Sequence, residues 1–233
     1  MNIVITGASR GIGKAIALKF AQEKFNLAVC ARTKKDLQKL EKEIYEINPS
    51  AEIFISVVDV SDKKQIQNFA SDVLKKFKTI DVLVNNAGIY LPGEAHKEKD
   101  GTLEKLLQTN LLSAYYLTQK LIPRMLKQKR GHIFNNSSIA GINAYPNGGS
   151  YSISKFALTG FSKNLREEMK PHGICVTNIC AGAVLTDTWK GTNFPDSRFM
   201  KPEDIAELVF TAWKIGKQSC VEEIVVRPIE GDI

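Results

Sequence analysis

Seven apolar runs of strand length, each separated from the next by a helical pattern, constrain this chain more than any other feature. They lie at residues 3–5, 27–30, 53–58, 82–84, 132–135, 174–180 and 223–226. The central runs lack the apolar–polar alternation of a half-exposed strand, as expected for a parallel sheet buried on both faces. Between the second and third runs, Leu37, Leu40, Ile44 and Ile47 recur at spacings of three and four, a helix stopped at Asn48-Pro49. Further helices are predicted over residues 14–24, 61–77 with Ser61 as N-cap, 103–127, 151–170 and 202–215. Pro123 is expected to kink the 103–127 helix or end it early. Repeated βα units of this kind specify an α/β fold, a doubly wound seven-stranded parallel sheet with helices on both faces. Its ligands bind at the carboxyl ends of the strands.

Length and charge narrow the function. The 233 residues fit one α/β domain over residues 1–233, and 43% hydrophobic with 24% charged residues excludes a disordered chain. No apolar run approaches the ~20 residues that span a bilayer. Ile3, Val4 and Ile5 lead at once into a glycine turn rather than a cleavage site, so a cytoplasmic location is expected. The net charge of +7 comes largely from lysines interleaved with acids on helices, as over residues 34–46. The basic cluster at 127–130 has no helix-turn-helix, finger spacing or aromatic platform beside it, so neither a nucleic-acid nor a membrane partner is expected. Cys30, Cys175, Cys180 and Cys220 show no C-x-x-C pairing, and His96, His132 and His172 are scattered. The sequence therefore predicts no disulfide and no metal site.

Two motifs carry the chemistry. Thr6-Gly7-Ala8-Ser9-Arg10-Gly11-Ile12-Gly13 stands at the first strand-to-helix junction. There, glycine allows a close approach to a pyrophosphate, and the helix N-terminus presents N–H groups to it. Tyr151 and Lys155 are four apart and share a helix face, with Ser138 upstream at the end of the fifth strand. A tyrosine hydroxyl titrates near ~10, and a nearby cation lowers that value. At about 4 Å and an effective dielectric of about 20, one charge contributes about 4 kcal/mol, the energy of about 3 pKa units. One lysine, helped by the charge of an oxidised nicotinamide, is thus expected to poise Tyr151 near 7.

In this order, the G-x-x-x-G-x-G turn and the Ser138, Tyr151, Lys155 set make the chain resemble the short-chain dehydrogenase/reductase family along nearly its whole length. The resemblance implies a Rossmann-like NADP-binding oxidoreductase that moves a hydride between nicotinamide and a carbonyl or alcohol. Tyr151 would be the general acid/base, Ser138 the donor that orients the substrate, and Lys155 the residue binding the nicotinamide ribose. Asn110, in Gln108-Thr109-Asn110-Leu111, matches the fourth member, which kinks its helix and holds a water. Ser137 competes with Ser138 for its role, and the family spacing favours Ser138.

The cofactor residues implied are Gly7, Ser9, Arg10, Gly11, Ile12 and Gly13 in the turn, Asp59 and Val60 near adenine, and Asn86, Ala87 and Gly88 after the fourth strand. Tyr151, Lys155, Gly182, Val184 and Thr186 would meet the nicotinamide half. After the second strand, Ala31 stands where an NAD site would carry a carboxylate, and Arg32 follows. A guanidinium binds a 2′-phosphate that a carboxylate would repel, so Arg32 and Arg10 favour NADP(H) over NAD.

Departures from the family pattern mark the substrate side. Ala181 replaces the usual proline after the sixth strand, which predicts a looser turn. The loop 187–201 is short, and Trp189, Phe194, Phe199 and Met200 could line an apolar or aromatic pocket with Ile89, Tyr90, Ile139 and Tyr145, or instead pack the lid. The terminus from Val225 to Ile233 lacks the Gly-Gly of many 3-oxoacyl-(acyl-carrier-protein) reductases, while Ala31-Arg32 also occurs in sepiapterin-reductase-like members. The substrate is thus left as a small-molecule carbonyl or alcohol, possible 3-oxoacyl thioesters included. The alternative is an NADP-binding sensor or scaffold without turnover. The family further implies a homodimer or homotetramer.

Overall fold

In the computed structural model, which describes residues 1–216 and 218–232, all seven runs form strands of one sheet. The strands are β1 (Asn2–Thr6), β2 (Asn26–Ala31), β3 (Ile53–Val57), β4 (Val82–Asn85), β5 (Gly131–Asn136), β6 (Ile174–Ala181) and β7 (Glu223–Val226). Every pairing is parallel and the spatial order is β3-β2-β1-β4-β5-β6-β7. The chain winds outward from β1 in one direction and then from β4 in the other. A crevice therefore opens at the carboxyl ends of β1 and β4, where the connections diverge.

Helices α1 (Gly11–Gln22), α2 (Lys34–Ile47) and α7 (Pro202–Lys214) cover one face, and α3 (Lys63–Lys76), α5 (Ser113–Gln128) and α6 (Gly149–Met169) the other. Within β1, Ile3 and Ile5 join the first layer and Val4 the second; in β4, Val82 and Val84 are divided from Leu83 in the same way. Successive side chains of a strand point to opposite faces, so a strand buried on both must be apolar throughout. Asn86 and Ser138 stand just past the ends of β4 and β5, at the carboxyl rim of the sheet.

Three local features differ from the sequence reading. The N-cap of α3 is Asp62, whose Oδ1 accepts from Lys64 N at 2.8 Å and Gln65 N at 3.1 Å. Ser61 is diverted, its N–H and hydroxyl both donating to Asp59 Oδ1 at 2.9 and 2.7 Å. The fourth helical pattern is not one helix. It comprises α4 (Thr102–Leu107), a π-helical turn at Gln108–Leu112, and α5. Pro123 lies inside α5 without ending it. Beside it, Arg124 donates to Leu74, Phe77 and Lys78 carbonyls at 2.7–3.2 Å, and Leu121 and Met125 are fully buried, so tertiary contacts hold the helix through the proline.

Phe20 and Phe25 pack edge to face at 4.9 Å, and Phe25 meets Trp213 of α7 at the same distance. Phe20→Ala empties a fully buried site and is expected to cost about 3–5 kcal/mol in denaturant unfolding. A loss below about 1 kcal/mol would show that these rings are not close-packed.

Candidate active site

The crevice is built first by backbone geometry. Gly7 follows β1 with φ +64°, and a Cβ there would lie 2.9 Å from Ala87 Cα. A Cβ on Gly13 would lie 2.4 Å from Gly7 O and from Asn86 Nδ2, so α1 can start against the strand ends only with glycine at this position. Thr6 Oγ1 accepts from the N–H groups of Asn86 and Ala87 at 3.1 and 3.0 Å. Asn86 Nδ2 donates to Thr6 O and Gly7 O at 3.0 and 3.1 Å. The Asn86-Ala87-Gly88 segment thus ties the two halves of the sheet together at the crevice. No side chain caps the N-terminus of α1, which leaves its dipole facing the turn of Ser9, Arg10, Gly11 and Ile12.

At the adenosine side, Ala31 closes β2 and Arg32 is exposed beside it. Asp59 stands at the end of β3, its carboxyl held below the usual range chiefly by the Ser61 hydrogen bonds, with Arg32 adding a smaller pull. Val60 is buried in the layer under α3. Arg10, the second basic residue the sequence offers to a phosphate, is held in two ion pairs. Its guanidinium meets Asp36 at 2.6 Å and Asp187 at 3.0 Å, two carboxylates that hold its pKa above the usual value. Asp36 is in the first turn of α2 and Asp187 in the loop after β6, neither near Arg10 in sequence.

At the chemical side, the Ser138 hydroxyl pulls the Tyr151 pKa down, and Ser138 Oγ accepts from Ala140 N at 3.1 Å. Ser137 faces away, bonded to Lys155 O at 3.2 Å and Thr159 Oγ1 at 3.1 Å. Lys155 Nζ donates to Asn136 O at 2.8 Å and stands 5.8 Å from the Tyr151 ring centre. Burial drives the Tyr151 hydroxyl up to about 12, against the pull of Ser138, and drives Lys155 down to about 8. The poise near 7 expected from the sequence includes the charge of an oxidised nicotinamide; in the protein alone, burial sets the Tyr151 hydroxyl. The phenol is desolvated, and the ammonium is anchored on a backbone carbonyl rather than aimed at the phenol oxygen.

Asn110 sits in the π-helical turn, where the extra backbone residue swings its side chain out of the helical row. Its Oδ1 accepts from Ile89 N at 2.8 Å, and its Nδ2 donates to Ile89 O at 3.0 Å and Ser154 Oγ at 2.9 Å. Ser154 Oγ in turn donates to Tyr151 O at 2.7 Å. This turn stands where the resemblance implies a kink. Gly88 lies between, where a Cβ would be 3.2 Å from Asn110 Oδ1 and 3.5 Å from Lys155 Nζ.

On the substrate side, Ala181 completes β6 in register with Val226, and Gly182 N donates to Val226 O at 2.8 Å, bonds that restrain the turn without a proline. Val184 bridges Met200, and a Cβ on Gly11 would lie 2.9 Å from the Thr186 methyl, so the loop lies close against the glycine turn. Phe199 and Met200 are buried and pack the loop, while Phe194 is exposed. Trp189 spans the two, 5.2 Å from Phe199 and 6.3 Å from Tyr90. Tyr90 meets Tyr151 edge to face at 4.8 Å, and burial, with a smaller push from Tyr90, drives the Tyr145 hydroxyl up. A cavity of 560 Å³ lies under the loop between Gly11, Lys14, Thr186, Trp189 and Phe194, and does not reach Tyr151.

Sequence reasoning passed over Glu98. Its carboxylate accepts from Ser150 N at 2.9 Å and from the Ser150 hydroxyl, pinning the first turn of α6 one residue before Tyr151. Ser150 and Glu98 are 52 apart, so only the fold joins them. Glu98→Ala is expected to cut turnover about 10- to 100-fold by loosening the approach of Tyr151 while leaving NADPH affinity unchanged. Glu98→Gln, which keeps an accepting oxygen, should retain most of it. Steady-state kinetics beside cofactor titration decides, and an unchanged kcat in Glu98→Ala would remove Glu98 from this role.

Comparison with known proteins places this geometry. Residues 1–195 match the short chain dehydrogenase family. The chain is 33% identical to the sepiapterin reductase of Chlorobaculum tepidum, over 99% of this chain and 97% of that one. It is 32% identical to the 3-oxoacyl-[acyl-carrier-protein] reductase of Thermotoga maritima, over 88% and 87%. A metagenomic short-chain oxidoreductase solved in complex with NADP superposes with a TM-score of 0.85 at 34% identity, covering 98% of this chain and 96% of that one. The chain belongs to the short-chain dehydrogenase/reductase family, with its Rossmann-like fold and its oxidoreductase chemistry on alcohol and carbonyl groups.

Proposed function

We propose that this protein is an NADP-dependent reductase of a small carbonyl compound, or the dehydrogenase of the matching alcohol. The observation that carries the reading is Lys155 on the next turn of α6 from Tyr151, its Nζ 5.8 Å from the Tyr151 ring centre and held on Asn136 O at the end of β5, two residues before Ser138. NADPH, when bound, supplies the hydride. Gly7, Ser9, Arg10, Gly11, Ile12 and Gly13 would hold its pyrophosphate half, with Asp59, Val60, Asn86, Ala87 and Gly88 along the adenosine. Lys155, Gly182, Val184 and Thr186 would hold the nicotinamide half. Ser138 would donate to the substrate oxygen and fix it against Tyr151.

Tyr151 would act as general acid. A phenol held at about 12 keeps its proton at neutral pH and can deliver it to an oxygen that becomes an alkoxide only as hydride arrives. Asn110 would hold Ile89 and Ser154 and, through Ser154, the backbone of Tyr151. A sensor that binds NADP without turnover has no need of this arrangement. Beside Tyr151 the rings of Tyr90 and Trp189 form an aromatic wall, which suits carbonyls carried on planar or aromatic groups better than extended acyl thioesters.

The test is NADPH oxidation against ketones, aldehydes, diketones, pterins and 3-oxoacyl thioesters, with Tyr151→Phe alongside. Tyr151→Phe is expected to lose about a hundredfold to ten-thousandfold in turnover. Full activity in that variant would overturn the mechanism. Arg32→Ala is expected to weaken NADPH binding about 10- to 100-fold with NADH binding unchanged, measured by cofactor fluorescence. Equal losses for both cofactors would remove Arg32 from phosphate recognition.

A further inference from the structure

Cys175 and Cys220 are 45 apart in sequence, and the sheet makes them neighbours. The β6–β7 register pairs Asn178 with Glu223, and the same offset carried back three residues pairs Cys175 with Cys220. The bonds between the two segments follow that offset. Asn178 N donates to Glu222 O at 2.9 Å, the Thr177 hydroxyl donates to Val221 O, and Cys175 Sγ reaches Ser219 O at 3.8 Å. Cys220 Sγ approaches Val176 O, the residue next to Cys175, at 3.9 Å. Residues directly opposite on adjacent strands point to the same face, at a separation a disulfide can span with little backbone movement.

Both sulfurs are partly exposed, whereas Cys30 and Cys180 are buried. Each thiol shifts the other, lowering Cys220 and raising Cys175. Arg166 and Glu222, an ion pair at 3.0 Å, are the charged groups that face the pair. None of this serves hydride transfer, because the pair lies at the amino end of β6 and the crevice at the carboxyl ends.

We propose that Cys175 and Cys220 are a thiol–disulfide exchange site that takes a small-molecule disulfide of the glutathione class and closes into a cross-strand disulfide. The Cys220 thiolate attacks one sulfur of the disulfide, forming a mixed disulfide and expelling one thiolate. Cys175 then loses its proton to solvent, and its sulfur attacks Cys220 Sγ and expels the second. Two protein thiols are oxidised to one disulfide, and the small disulfide is reduced to two thiols. The bond ties β6 to the segment entering β7, the edge strand of the sheet.

The test exposes the full chain to oxidised glutathione at neutral pH, quenches with acid, and maps the peptides without reduction. Wild type is expected to yield one linked peptide pair, Cys175 to Cys220, with Cys30 and Cys180 still free. Cys175→Ser is expected to stop at a glutathione adduct on Cys220, and Cys220→Ser to remain essentially unmodified. A stable adduct on wild-type Cys220, four free thiols after exposure, or a link to another cysteine would each overturn the proposal.

Discussion

One chain of hydrogen bonds joins the cofactor end of the crevice to its chemical end. Asn86 Nδ2 donates to the carbonyls of Thr6 and Gly7, Asn136 Nδ2 donates to Asn86 Oδ1 at 2.9 Å, and Lys155 Nζ donates to Asn136 O at 2.8 Å. The glycine turn, the ends of β4 and β5, and the lysine of α6 are thereby held by three residues, each bond buried or partly buried. Such bonds strengthen where water is scarce, and leaving any one group unpaired is costly. Moving the turn moves the lysine, and the groups that would meet pyrophosphate and nicotinamide keep a fixed separation.

The same burial sets the electrostatics. Lys155 is taken out of water and still donates only to a carbonyl, which is why its pKa falls to about 8. Tyr151 loses water as well, but its neighbours are the Ser138 hydroxyl and the Tyr90 ring, so its proton is held more tightly. Desolvation disfavours the charged form of each group, lowering the lysine and raising the tyrosine together. The pair therefore rests as a retained phenol proton beside an amine that is mostly charged below pH 8, the protonation state a reductive step begins from.

The strands and helices were legible because their signals are local. Val82, Leu83 and Val84 announce a strand buried on both faces, and the spacing of Leu37, Leu40 and Ile44 announces a helix. The family motifs were legible for the same reason, since Tyr151 and Lys155 meet within one helical turn. Features that depend on the fold were hidden. A π-helical turn at Asn110 differs from an α-helix by one looped residue and has no composition of its own. Ser61 and Asp62 are both good N-caps, and the choice falls to Asp62 only because Asp59 engages Ser61. Glu98 on Ser150, Asp36 and Asp187 on Arg10, and Cys175 beside Cys220 are all contacts across long separations that no spacing rule encodes.

This division also explains why the substrate is harder to see than the chemistry. Ser138, Tyr151 and Lys155 stand on or beside sheet and helix, where the backbone fixes them. Tyr90, Tyr145 and Trp189 stand on three connections that leave the strand ends. Tyr90 is the joint between the two sets, packed edge to face on Tyr151 at 4.8 Å and 6.3 Å from Trp189 of the loop. A substrate ring that stacks on Tyr90 would bear directly on the environment of the Tyr151 hydroxyl, since Tyr90 already contributes to holding it high. In this arrangement recognition and proton transfer share a residue, so changes at Tyr90 would move both KM and kcat, whereas changes at Phe199 or Met200, buried beneath the loop, would act through stability.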